Sequence, residues 1–215
     1  MTQFLTTKLN NPKAYLLLAH GAGAPMTSPF LEKIAQLLSD RDIAVVRFEF
    51  AYMAQRREGG KRRPPPRAEH LIDEYVNAVN ELRTQLMARD KLLIGGKSMG
   101  GRVASMAADD LYRQGKIQGL VVLGYPFHPP GKPENLRTTH LAELQCPTLI
   151  VQGERDPFGA RSEVEAYALS KNIRIAWAGD GDHDLGPRGG QGYTRTGNLT
   201  AAADEIASFV DGLKS

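Results

Sequence analysis

Gly96-Lys97-Ser98-Met99-Gly100 sets a serine between glycines at G-x-S-x-G spacing. That pattern puts a hydroxyl on a sharp strand-to-helix turn with its oxygen held outward. Glycine is needed there because the turn crowds the backbone around a strained residue. A serine hydroxyl is a weak nucleophile at neutral pH, so chemistry at Ser98 requires a base and a group that orients the base. When such a turn serves acyl transfer, the chain order is serine, acid, histidine. Of His20, His70, His128, His140 and His183, only His183 follows a candidate acid beyond Ser98. That acid is Asp156, in Gln152-Gly153-Glu154-Arg155-Asp156-Pro157. The third requirement is a pair of backbone donors for a developing oxyanion. His20-Gly21-Ala22-Gly23 supplies one of them, Ala22 or in its place Gly23, and Met99 supplies the other. His20 itself is read as ordering this turn rather than as a titrating group.

These positions make sense only if the elements around them hold them at one edge. Short apolar runs at 14–19, 43–48, 92–95, 120–123, 148–151 and 173–177 read as strands buried on both faces. Stretches of helical periodicity at 29–39, 68–89, 99–114, 162–170 and 201–213 separate them. Strand-helix alternation of this kind predicts a parallel sheet with helices on both faces. Ser98, Asp156 and His183 each fall just past a strand, at the C-terminal edge where open α/β sheets place their sites. Residues 125–145 carry four prolines and are read as an irregular excursion after the fourth parallel strand.

At 215 residues the chain suits one domain. A single cysteine, Cys146, allows no intrachain disulfide, which fits a reducing compartment. The apolar stretch at 15–19 is too short for a signal-peptide core or a membrane span. We therefore expect a cytoplasmic protein with no membrane partner. The net charge of +3 is uneven: Arg56, Arg57, Lys61, Arg62, Arg63 and Arg67 face only Glu58, so this loop holds +5 and the remainder −2. A basic loop on a faintly acidic body argues against a nucleic-acid protein. Arg56, Arg57, Arg62 and Arg63 are candidates for steering an anionic acyl substrate, against the plain alternative of a solvated charge run.

Competing motifs fail on their spacing. A phosphate-binding P-loop ending at Gly96-Lys97-Ser98 would need glycine where Lys91 stands. A dinucleotide turn built on Gly21 and Gly23, with Glu49 on the ribose, would need its third glycine at Met26. Asp180, Asp182, His183 and Asp184 could together hold a cation, but no matching ligands recur at a recognisable spacing. No metal or organic cofactor is implied.

With these residues in hand, the chain resembles the α/β-hydrolase superfamily over nearly its whole length. The resemblance rests on His20-Gly-Ala-Gly23, Gly95-Gly-Lys-Ser-Met-Gly-Gly-Arg102, Gly124-Tyr-Pro-Phe-His-Pro-Pro-Gly-Lys-Pro133 and Asp182-His-Asp-Leu185. The third stretch is similar to a small bacterial group of predicted hydrolases, related to the hydrolase-like domain of testis-expressed and non-specific-lethal complex subunit proteins. The resemblance implies a Ser98–Asp156–His183 triad and names no substrate. It leads us to expect a minimal α/β-hydrolase sheet of about six parallel strands in order 2-1-3-4-5-6, with no inserted cap domain. The 13 residues before the first clear strand leave no room for a complete N-terminal hairpin, though residues 4–9 could extend an edge. The expected chemistry is hydrolysis of a small ester or thioester. The alternative is a binding or scaffold protein that keeps the fold with an idle triad.

Overall fold

In the computed structural model, residues 2–57, 59 and 64–213 are described. Seven strands form one sheet: β1 (Phe4–Thr6), β2 (Ala14–Ala19), β3 (Ile43–Phe48), β4 (Leu92–Lys97), β5 (Gly119–Leu123), β6 (Thr148–Gly153) and β7 (Ile173–Ala178). Their order is β1-β3-β2-β4-β5-β6-β7. The six later strands are mutually parallel and lie in the expected order. The seventh is a correction to the expected count. β1 pairs antiparallel with β3 from Phe4↔Phe48 to Thr6↔Val46, so only half of residues 4–9 join the edge. Asn11 and Asp42, both at positive φ, turn the chain beyond it.

Because the sheet is covered on both faces, successive side chains of one strand enter different cores. Leu17, Val46, Ile94, Val122 and Ile150 face α3 (Ile72–Arg83) and α4 (Met99–Arg113). Leu16, Leu18, Val45, Leu93 and Val121 face α1 (Pro29–Ser39) and α6 (Arg195–Gly212). This is why the strands read as unbroken apolar runs rather than alternations. Burying one such Leu or Ile stabilises the fold by roughly 1.5–3 kcal/mol.

Several helix bounds differ from the periodicity. The 68–89 stretch resolves into a 3-10 turn at Ala68–Leu71 followed by α3, which stops at Arg83. Residues beyond it are half-buried or exposed turn, with Met87 59% exposed. The 162–170 stretch shrinks to α5 (Arg161–Val164). α6 begins at Arg195 rather than 201, because the Thr194 hydroxyl accepts the Gly197 N–H at 2.9 Å and caps the helix. A further helix, α2 (Ala51–Arg57), follows β3 and takes in Arg56 and Arg57, the first two residues of the segment read as a basic loop. Among the described residues, no helix is long and apolar enough to cross a membrane.

Candidate active site

β4 delivers Ser98 to its C-terminal edge, and the chain turns there into α4. Ser98 adopts φ 52° and ψ −117°, a region that L-residues avoid at a cost of about 1–3 kcal/mol. The conformation is held from several sides. The Ser98 N–H donates to Leu123 O on β5 at 3.0 Å. Gly100 lets α4 drop onto β2: a Cβ there would meet Ala19 C at 2.9 Å. Under the sheet, the buried Tyr75 hydroxyl donates to Gly95 O at 2.7 Å and accepts the Gly95 N–H at 2.9 Å.

Asp156 lies in the turn after β6 and is fully buried. Its Oδ1 accepts the Phe158 N–H at 2.9 Å, while Oδ2 accepts from Gln152 Nε2 at 2.9 Å and His183 Nδ1 at 2.8 Å. The turn after β7 carries His183, whose side chain is 21% exposed and packs on the Phe158 ring at 4.4 Å between centroids. With Nδ1 donating to Asp156, Nε2 is free to accept a proton. No hydrogen bond joins the Ser98 hydroxyl to His183 among the described residues; such bonds commonly tighten only on substrate binding.

Lys97, Gln152 and Phe158 are parts of this arrangement that the sequence reading passed over. Lys97 is almost fully buried, donates to His183 O at 2.8 Å and pairs with Asp184 Oδ1 at 3.2 Å. Burial lowers its pKa, and Asp184 opposes that shift. Its ammonium thus ties the serine strand to the histidine loop. Gln152 is also fully buried and donates to Tyr125 O, Asp156 and Gly159 O, which locks the Asp156 carboxylate in place. A signal existed for Lys97, which stands inside the serine motif, but burial of a lysine beside a nucleophile turn cannot be read from spacing.

Ser98 opens onto a cavity of about 570 Å³ that Ala22, Met99, Pro126 and Phe158 also line. That is an ordinary size for a small-ligand site. Gly21 packs against Ser98, where a Cβ would lie 3.7 Å from the serine Cβ, so the Ala22 turn borders the hydroxyl. The Tyr52 hydroxyl donates to Ala22 O at 3.2 Å and fixes this peptide; burial pushes its phenol up to about 12, so it stays protonated. The N–H groups of Ala22 and Met99 donate to no described residue. Gly23 does not line the cavity among the described residues.

His20 orders the turn, as read. It is fully buried, its Nε2 accepts the Phe50 N–H at 3.2 Å, and Nδ1 therefore carries the proton toward Gly21 O at 2.6 Å. Burial lowers its pKa below 6.5, and burial likewise lowers that of His140. Below about pH 6.5 the unfolded chain then takes up protons that these folded imidazoles refuse, so stability is fullest above that pH and declines on acidification. We expect the urea midpoint to fall between about pH 7.5 and pH 5.5, and to fall less in His140→Gln. An equal fall in that variant would assign the loss to other groups.

The acids around His183 have structural partners. Asp180 pairs with Arg155 and Arg188, Asp182 accepts the Asp184 and Gly186 N–H groups, and Asp184 holds Lys97. Among the described residues, no group of three or more His, Cys, Asp or Glu is placed to hold a metal ion. Cys146 is fully buried, and burial pushes its thiol up to about 12, so it is a packing residue and no nucleophile.

Two of the candidate steering arginines, Arg56 and Arg57, sit away from the cavity. Arg56 and Arg57 end α2, with Arg56 over the Tyr52 ring and Arg57 bonded to Gln3 at 2.7 Å and paired with Glu49 at 3.6 Å. Neither lines the Ser98 cavity among the described residues. Arg62 and Arg63 lie outside the described residues.

A parallel sheet covered on both faces, with a strained serine elbow and an Asp–His couple at the ends of neighbouring strands, defines an α/β protein of hydrolase type. The alpha/beta hydrolase domain family matches residues 12–211, and the chain belongs to that family. Solved structures of similar fold include a dienelactone hydrolase from Anabaena variabilis, with 21% identity, TM-score 0.74, and coverage of 100% of this chain and 93% of that one. An alpha-beta serine hydrolase homologue from Coxiella burnetii has 16% identity, TM-score 0.71, and coverage of 96% and 89%. Est1E from Butyrivibrio proteoclasticus, with ferulic acid bound, has 16% identity, TM-score 0.66, and coverage of 95% and 93%.

Proposed function

We propose that the protein is a serine hydrolase that cleaves a small ester or thioester through an acyl-enzyme. One observation carries this reading: Ser98 is held at positive φ beside a cavity while a buried Asp156 fixes the histidine of a neighbouring strand end at 2.8 Å. In the proposed mechanism Ser98 Oγ attacks the substrate carbonyl carbon as His183 Nε2 takes its proton. Asp156 holds the Nδ1–H tautomer and stabilises the imidazolium. The Ala22 and Met99 N–H groups stabilise the oxyanion, each worth about 3 kcal/mol of barrier. Collapse expels the alcohol or thiol, which receives the proton from His183. Water, deprotonated by the same imidazole, then attacks the acyl carbon, and the carboxylic acid leaves with Ser98 restored.

Similarity of fold to a dienelactone hydrolase and to a serine hydrolase homologue supports hydrolytic chemistry. A single buried cysteine with no disulfide suits a cytoplasmic protein. The test is labelling with a fluorophosphonate probe. The native protein should be modified stoichiometrically and Ser98→Ala not at all. A native protein that resists the probe, with its fold intact, would mark a binding protein with an idle triad. Screening acyl esters against acyl thioesters then assigns the leaving group.

A further inference from the structure

The Ser98 cavity contains two cations from outside the charge run, Arg102 and Arg137, beside Arg67 from its end. Arg67, Arg102 and Arg137 line it, against the single carboxylate of Glu69. Arg102 stands one helical turn beyond the serine, its N–H donating to Ser98 O at 3.0 Å, so both residues belong to one face of α4. One end of its guanidinium is engaged: Nη2 donates to Glu69 Oε1 at 2.6 Å. Arg102 Nε is buried with no hydrogen-bond partner among the described residues.

Arg137 comes from the excursion between β5 and β6. Its backbone is pinned there, the N–H donating to Phe127 O at 2.8 Å and the carbonyl accepting from the Tyr125 hydroxyl at 2.8 Å. Its guanidinium has no hydrogen bond or ion pair with a described residue. Arg102 and Arg137 line one cavity; burial, and then the charge of Arg102, lower the Arg137 pKa, while Tyr125 and Glu69 oppose that shift. Leaving a buried donor such as Arg102 Nε unsatisfied is costly. A planar fork of donors is matched by a carboxylate or a phosphate group, which takes two parallel hydrogen bonds and cancels the repulsion.

We propose that Arg102 and Arg137 bind an anionic group, carboxylate or phosphate, carried by the substrate whose carbonyl meets Ser98. This rests on the reading of Ser98 as nucleophile, yet binding tests it separately. Ser98→Ala protein is titrated by calorimetry with methyl hydrogen succinate and with phenyl phosphate. Saturable binding of at least one is expected, and the tighter of the two assigns the group. Adding Arg137→Gln or Arg102→Gln should weaken it at least about 10-fold. Arg113→Gln, an exposed position paired with Asp110 farther along α4, should not. Turnover gives the second readout. Phenyl hemisuccinate should be preferred over the uncharged phenyl pentanoate. In Ser98-intact Arg137→Gln and Arg102→Gln, kcat/KM should fall about 10-fold or more for the first ester and less than about 2-fold for the second. Fluorophosphonate labelling of the arginine variants verifies that the serine and the fold survive. The proposal is overturned if neither anion binds, or if both arginine variants bind them as Ser98→Ala alone does. Normal labelling without anion binding would leave the nucleophile standing and remove the anion site; anion binding that needs the arginines, in a protein the probe does not label, would do the reverse.

Discussion

Replacing Asp156 by Asn is expected to lower kcat for ester hydrolysis about 10⁴-fold with little change in substrate binding. The native carboxylate has only acceptors to offer, and Phe158 N–H, Gln152 Nε2 and His183 Nδ1 all donate to it. An amide cannot satisfy all three. With its oxygen on Phe158, its NH₂ meets two donors; reversed, it confronts the Phe158 N–H. The imidazole escapes the conflict by moving its proton to Nε2, where it can no longer accept one from Ser98. Steady-state kinetics on any accepted ester reads the effect. Retention of more than about a tenth of the native kcat would remove Asp156 from the reacting group. Since the buried hydrogen bonds to a charge are worth about 1.5–3 kcal/mol each, a fall in thermal midpoint should accompany the loss.

A large loss of stability is expected from one added methyl group within the serine motif itself. Gly96→Ala would place a Cβ 2.5 Å from Gly101 N and 2.8 Å from Gly100 O, closer than real Cβ atoms approach backbone. These neighbours belong to the first turn of α4 and cannot swing aside as a side chain could. Either the helix lifts from the sheet or β4 shifts, and Leu123, which holds the Ser98 N–H, shifts with it. We expect about 4 kcal/mol of destabilisation by urea titration, at the upper end for a single substitution. Gly212→Ala, at the end of α6 with open space around it, serves as the contrast. It should be neutral or stabilising by about 0.5 kcal/mol. Equal effects at the two sites would refute the packing argument.

How much of this was legible depended on the range of the interaction. The six parallel strands followed from apolar runs and chain alternation, because burial on both faces leaves a pattern within each strand; their order is a long-range property and followed only from the family resemblance. The helix at α2 was hidden because Ala51 to Arg57 ends in arginines and runs into a Gly- and Pro-rich stretch, so its charge was read as loop. Yet Ala, Met, Gln and Arg are good helix formers, and that signal was available. Helix ends at 83 and 195 were missed because a cap such as Thr194 is a local hydrogen bond that competes with periodicity. In the candidate site, residues just past strands were readable from order alone. Gln152 and Lys97 were not, since their importance comes from burial among partners distant in sequence. The cavity arginines were invisible for a related reason: Arg102 and Arg137 stand alone in the sequence and meet only in the fold.

The left-handed backbone of Ser98 has a consequence for anyone selecting improved versions of this protein. Glycine tolerates φ 52° without the steric penalty that serine bears, so Ser98→Gly should raise stability by about 1 kcal/mol in a melting assay while removing the hydroxyl. A campaign that ranks random variants by heat resistance alone would therefore enrich an inert protein. On the proposed mechanism, part of the fold's thermodynamic margin is held in one peptide, and any screen must score turnover alongside survival.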